Sequence, residues 1–430
     1  MRNIALTFLG CFTILAACSN SDDAEKPVAP IPTGDVTIYS TTNSLTRDLT
    51  RDAVNFSLKD NLAPTSITLN PTEQYQTMDG FGVAITGATC FNLLQMKPED
   101  RHAFLTETFS DDKGFGFSYI RISIGCSDFS LSEYTCCDKK GIENFALQSE
   151  EKEYILPILK EILDINPSIK IIAAPWTCPT WMKVKSLTDL TPFESWTNGQ
   201  LNPAYYQDYA TYFVKWVQAF NAEGIDIYAV TPQNEPLNRG NSASLYMSWE
   251  EQRDFVKTAL GPKFKTAGLA TKIYAYDHNY DYSDIETEKN YPGKMYEDPA
   301  ASQYLAGAAY HNYGGNREEL LNMHKAYPEK ELLFTETSIG TWNSGRDLSK
   351  RLLEDMKEVA LGTINNWCKG VIVWNLMLDN DRAPNREGGC QTCYGAVDIS
   401  NSDYKTIIRN SHYYIIAHLS SVVKPGALRI

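Results

Sequence analysis

The sequence has no Lys/Arg-rich stripe. Its 39 basic residues are outnumbered by 53 acidic ones, and the formal net charge is -14. Nucleic acid is excluded as a partner on that ground, since phosphate binding needs clustered cations. A metal-ligand set is also missing. Cys390 and Cys393 form a CxxC, but no second CxxC or His pair completes a zinc site, and no redox-type helix follows. A zinc hydrolase would lack its ligands, so neither metal nor cofactor is expected. Solenoid-type repeats are absent. Charged residues amount to 21% and hydrophobic ones to 43%, which excludes wholesale disorder and allows a large core. Aromatics are plentiful: 25 Tyr, 17 Phe and 8 Trp. They serve cores first, and they also stack on the apolar faces of sugar rings.

The opening run Ile4 to Ala17 holds fourteen apolar-type residues behind Arg2. That is short of the ~20 that span a bilayer but suits an export signal. Leu15-Ala16-Ala17-Cys18 resembles a bacterial lipobox, so residues 1–17 are expected to be removed and Cys18 lipidated. Residues 18–34, acidic and Pro-containing, read as a flexible tether like those of Bacteroides-type surface lipoproteins. The expected location is the outer membrane or cell surface, with membrane contact only through the lipid. Export permits disulfides, for which Cys136, Cys137, Cys390 and Cys393 are the candidates; inert buried thiols are the alternative.

Eight β-branched, apolar runs follow, beginning at Asp79, Phe117, Lys170, Asp226, Lys272, Gly307, Leu332 and Gly370. Helix-patterned segments separate them, such as EEKEYILPILKEILDIN and AYYQDYATYFVKWVQAFNAEG. Eight alternations predict a (β/α)8 TIM barrel over residues 77–419. Residues 35–76 and 420–430 read as short antiparallel strands of a small β-sandwich side domain built from both chain ends. On this reading its C-terminal part is incomplete.

In such barrels, the C-terminal ends of strands point into the active site. Those ends carry Arg121 with Asp128 just beyond, Trp176, Asn234 and Glu235, His311 and Tyr313, Glu336, and Trp374. Two carboxylates thus arrive from the fourth and seventh strands among aromatics, amides and one Arg. One carboxyl can protonate a glycosidic oxygen while the other attacks the anomeric carbon. Glu235 is expected to be desolvated, with a raised pKa, and Glu336 to stay ionised beside Arg121.

The segments DGFGVAITGAT, YIRISIGCSDFS, APWTCPTWMK, VTPQNEP, YHNY, LFTETS and VIVWNLML, in this order, resemble glycoside hydrolase family 30. The resemblance implies a retaining β-glycosidase with Glu235 as acid/base and Glu336 as nucleophile. It implies Asp128, Trp176, Asn234, His311, Tyr313 and Trp374 as sugar-binding residues, with Arg121 supporting the nucleophile. Within the family it points to a monomeric endo-β-1,6-glucanase acting on neutral β-glucan. Trp342 and Trp181 are candidates for the cleft rim. A glucosylceramidase, or an exo-β-glucosidase or β-xylosidase, is the alternative. A non-catalytic glycan-binding lipoprotein is the rival from another class, and two intact carboxylates argue against it. The loop DRAPNREGGCQTCYG is assigned no contacts.

Overall fold

The computed structural model describes residues 32–57, 67–282 and 285–430. The signal run, Cys18 and the tether up to residue 31 lie outside them. Eight parallel strands close into a barrel. They are β1 (Gly80–Ala84), β2 (Tyr119–Ser123), β3 (Lys170–Ala174) and β4 (Ala229–Val230), then β5 (Lys272–Asn279), β6 (Leu305–His311), β7 (Glu331–Glu336) and β8 (Cys368–Val373). Each pairs with its neighbours in sequence, and β8 returns to β1. All eight apolar runs are therefore barrel strands.

Why these segments form strands follows from burial on both faces. Inward side chains Tyr119, Ile172, Ala229, Tyr274, Ala309, Leu333 and Ile372 fill the barrel. Outward ones join the larger core beneath the helices. Small residues set the spacing where backbones converge. A methyl added at Gly82 would lie 1.6 Å from the Tyr119 carbonyl oxygen, so β1 and β2 could not pair with any larger residue there. The helices carry their own start signals. Pro98 opens the helix Pro98–Phe109, and Ser248 with Glu251 forms a capping box on Trp249–Phe255.

The chain ends meet as antiparallel backbone. Val36–Ser40 pairs with Thr50–Val54. Met78 N donates to Ala427 O (2.8 Å) and Tyr75 N donates to Arg429 O (2.9 Å). The last helix, Ser411–Val422, runs past residue 419, where the sequence reading ends the barrel.

The N-terminal mouth of the barrel is tied by alternating charges. Glu331 accepts from Lys272 Nζ (2.7 Å) and Lys369 Nζ (2.6 Å), and also from the Tyr274 hydroxyl; Lys170 Nζ donates to Asp79 (2.6 Å). Burial alone pushes the Glu331 carboxyl up, but hydrogen bonds from Lys272, Lys369 and Tyr274 outweigh it and hold it at about 2. Its contribution to stability is present above the unfolded pKa of ~4.3 and is lost as pH falls from there towards 2. Glu331→Gln should therefore cost about 2–3 kcal/mol at neutral pH, as read by denaturant unfolding. The parent should lose this margin on acidification, whereas the variant should not. A neutral-pH loss below ~0.5 kcal/mol would show that the ring is ornamental.

Candidate active site

The C-terminal mouth gathers three buried carboxylates around one buried guanidinium. Arg121, fully buried on β2, donates through Nη1 to Glu336 Oε2 (2.6 Å). Through Nη2 it reaches Asn234 Oδ1 (2.6 Å) and Asp277 Oδ2 (2.9 Å). Its flat faces lie near two indoles, 5.0 Å from the Trp176 centroid and 5.5 Å from that of Trp374. Those indoles stack on each other at 5.2 Å.

Glu336 ends β7, and its Oε1 accepts from the Tyr313 hydroxyl (3.0 Å), which also lies 3.0 Å from Ser338 Oγ. Glu235 stands on the loop after β4 with a left-handed φ of 45°, held there by its N–H on Asp277 O (2.9 Å). Its Oε2 accepts from Asn238 Nδ2 (2.7 Å) and Asn241 Nδ2 (3.1 Å). Its Oε1 lies 3.3 Å from His311 Nδ1. One oxygen of each Glu and a ring nitrogen of His311 fall within 4.8 Å of one another. Such a trio has the donor types to hold a metal. Arg121 already pairs with Glu336, and a protonated His311 has no ring lone pair to offer a metal.

Besides Asn238 and Asn241, two further residues missing from the sequence reading complete the site. Asp277 accepts from Arg121, from Thr231 Oγ1 (2.7 Å) and from Thr335 Oγ1 (2.6 Å), and its Oδ1 lies 3.1 Å from His311 Nε2. His278 Nε2 lies 3.9 Å from Glu235. Both sit in YAYDHN at the end of β5. A register shift between Tyr276 and His278 lets two adjacent residues serve the same side, which an unbroken strand of period two forbids. The end of the fifth run was the available signal.

Asp128, Glu235, Tyr313, Glu336 and Trp374 line one cavity of about 290 Å³, together with His278, Asn238 and Asn241. Asn234, His311 and Trp176 stand behind that lining. The Oδ1 of Asn234 is taken by Arg121, which leaves its Nδ2 as the amide's remaining donor. Trp342 lies on the rim as expected and is 53% exposed. Trp181 does not: it is a core residue whose Nε1 donates to Cys137 O (2.8 Å).

The loop left without contacts walls the cavity. Cys390 and Cys393, which are disulfide-bonded, line it. Arg386 pins the loop by donating to Ser127 O and Ser242 O, both at 2.6 Å. Cys136 and Cys137 are buried free thiols.

The electrostatics reverse one expectation. Burial pushes Glu235 up, but the His311 hydrogen bond, imidazole charge and the Asn238 amide hold it down at about 2. His278 is itself lowered to about 4 by burial, so at neutral pH the charge acting on Glu235 is that of His311. His311 rises to about 9 despite burial, because Glu336, Asp277 and Glu235 face it. Glu336 is raised by burial and by the charges of Glu235 and Asp277, against His311 and Arg121. Asp128 is pushed to about 7 by burial and by the charges of Glu336 and Glu235. The resting site thus carries its proton on His311, and the two Glu residues titrate in the opposite order to the one expected. The cause is an imidazolium in hydrogen-bond contact with Glu235, which position in the sequence does not reveal.

A closed barrel with two carboxylates facing each other at its C-terminal mouth is the equipment of a glycoside hydrolase. The model of the glycosyl hydrolase family 30 TIM-barrel domain matches residues 78–423, and the chain belongs to that family. It is 32% identical to the endo-1,6-beta-D-glucanase BGN16.3 of Trichoderma harzianum, over 82% of this chain and 70% of that one. It is 26% identical to the lysosomal acid glucosylceramidase of Mus musculus, over 85% and 71%. The solved structure of the endo-beta1,6-glucanase BT3312 is 88% identical, with a TM-score of 0.91 over 92% of this chain and 86% of that one.

Arg121→Met keeps much of the side-chain volume but strands Glu336 and Asp277 without their cation. The variant should lose about 3–5 kcal/mol of stability, the usual cost of breaking a buried ion pair from one side. Urea unfolding measures this; a loss under ~1 kcal/mol would show that the carboxylates do not depend on the guanidinium.

Proposed function

We propose that this enzyme cuts β-1,6-linked glucan internally with retention of configuration, using Glu336 as nucleophile and Glu235 as acid/base. The observation that carries the mechanism is the approach of one oxygen from each carboxylate to within 4.8 Å, with a ring nitrogen of His311 inside the same distance of both. Retaining enzymes hold the pair about 5–5.5 Å apart, whereas inverting ones leave about 6.5–9.5 Å for a water. The linkage is supported by the endo-1,6-glucanases among the similar proteins. An acidic chain of net charge -14 also disfavours anionic glycans.

In the first step Glu336, ionised and hydrogen-bonded by Arg121 and Tyr313, attacks the anomeric carbon. Glu235 gives a proton to the leaving oxygen. His311 Nδ1–H, 3.3 Å from Glu235 Oε1, is the proton source. Bound sugar excludes water, which weakens the case for a separated imidazolium and carboxylate and moves that proton to Glu235. The glycosyl ester on Glu336 then carries no charge. His311 loses the anion that most favours its protonated form, and Glu235 accepts a proton from the incoming water.

Glu336→Gln should abolish turnover, by on the order of 10⁴-fold or more. Glu235→Gln should lose natural-substrate activity but keep glycosylation by aryl glucosides, whose leaving groups need little protonation. NMR of the first product should show the β-anomer; an inverted product would sink the assignment.

β-1,6-Glucan should give a ladder of short oligosaccharides from the earliest times. Glucose as the sole early product would indicate an exo enzyme, and preference for glucosylceramide would move the substrate to the lipid.

We propose in addition that the enzyme is a surface lipoprotein, supported by the lipobox-like Leu15-Ala16-Ala17-Cys18. Cys18→Ala should move it from the membrane to the soluble fraction, because stable anchoring needs acyl chains. Unchanged fractionation would refute the anchor.

A further inference from the structure

A second cavity, of about 560 Å³, opens beside the catalytic one. The two share three wall residues, Tyr313, Ser338 and Trp342. Tyr313 is 43% exposed and Trp342 53%, although each is a large ring that a barrel would otherwise bury. Tyr313 keeps its hydroxyl on Glu336 while its ring forms part of the boundary between the cavities. Beyond this boundary the wall is polar. Asn316 and Asn343 are fixed by their Oδ1 atoms, which accept from Glu318 N and Gly340 N, both at 3.0 Å. Arg317 pairs with Glu358, and Arg351 with Asp355.

We propose that this cavity binds further sugar units of the same neutral glucan chain whose bond is cut next door. The inference rests on the hydrolase reading above and extends it to a distal subsite. Three properties select a neutral sugar chain. With their oxygens held by backbone N–H groups, the Asn316 and Asn343 amides present Nδ2 donors to hydroxyl oxygens, and the wall carboxylates accept from hydroxyl hydrogens. Both arginines are already paired, and Glu318 and Glu354 leave the wall with an excess of negative charge, so a phosphate or an acidic glycan is disfavoured. The exposed rings of Tyr313 and Trp342 give the chain apolar faces to lie against as it leaves the catalytic pocket. At about 290 Å³ the catalytic cavity alone lies at the lower edge of ligand-sized pockets, ~300–1,000 Å³, so a polymer must continue outside it.

The test fills the cavity far from the chemistry. Glu354→Trp places a bulky ring on the exposed wall helix, and Asn316→Trp does so from the facing loop, in case the first variant unfolds. Thermal melting checks folding of each. The readout is the ratio of kcat/KM on β-1,6-glucan to that on an aryl β-glucoside. It should fall roughly tenfold, one contact's worth of binding energy. In the Glu336→Gln background, calorimetry should show a six-unit β-1,6-gluco-oligosaccharide binding more tightly than a two-unit one, with that gain lost on filling the cavity. A parent that cuts β-1,6-glucan while folded variants keep the parent ratio and the parent chain-length gain would overturn the subsite alone. A parent inactive on β-1,6-glucan but active on the aryl glucoside would overturn the substrate reading and the subsite with it.

Discussion

The guanidinium of Arg121 sits where no water can solvate it, and the groups around it answer to that fact. A buried cation is tolerable only with counter-charges and aromatic faces close by. Glu336 and Asp277 supply the charges, Trp176 and Trp374 the faces, and Asn234 a further acceptor. Two carboxylates already outnumber the one cation, and Glu235 brings a third. The excess negative charge keeps His311 protonated. Proton inventory and nucleophile position are thus two consequences of one buried charge. The site is preorganised before any sugar arrives, so little reorganisation is left for the transition state.

Much of this was legible in the sequence because barrel geometry converts order along the chain into position around a ring. Eight apolar runs became eight strands, and reading strand ends collected Glu235, Glu336, Arg121 and their neighbours. The misses have physical causes. Asp277 and His278 share one side only because β5 carries a register shift, and a period-two reading discards one of two adjacent residues. The titration order of the two Glu residues depends on a 3.3 Å contact between side chains 76 positions apart. Trp181 is an indole whose burial is set by Cys137 and Tyr205 rather than by its place after a strand. The loop around Cys390 reaches the cavity through Arg386 and backbone carbonyls, a tie that no residue pattern advertises.

The two mouths of the barrel solve the same electrostatic problem differently. At the N-terminal mouth Glu331, Lys272, Lys369, Asp79 and Lys170 are partly solvated and nearly matched in charge. At the C-terminal mouth the groups are drier and unmatched. Stability favours the first arrangement and proton transfer the second, which is the division of labour expected of this architecture.

The excursion that carries Arg386 and the Cys390–Cys393 bridge leaves and re-enters the fold at adjacent points. Met377–Asp379 and Val397–Ile399 lie side by side as parallel strands, with Ile407–Arg409 next to them. Because both ends are clamped in one small sheet, residues between them that lie outside the Arg386 ties and the Cys393–Tyr394 pairing with Ile339–Gly340 can change at little entropic penalty and without disturbing a barrel strand. The pocket's outer wall is therefore an exchangeable cassette. A change confined to this one excursion would reshape the entrance that a sugar ring meets, while leaving the dry charge cluster beneath it in place.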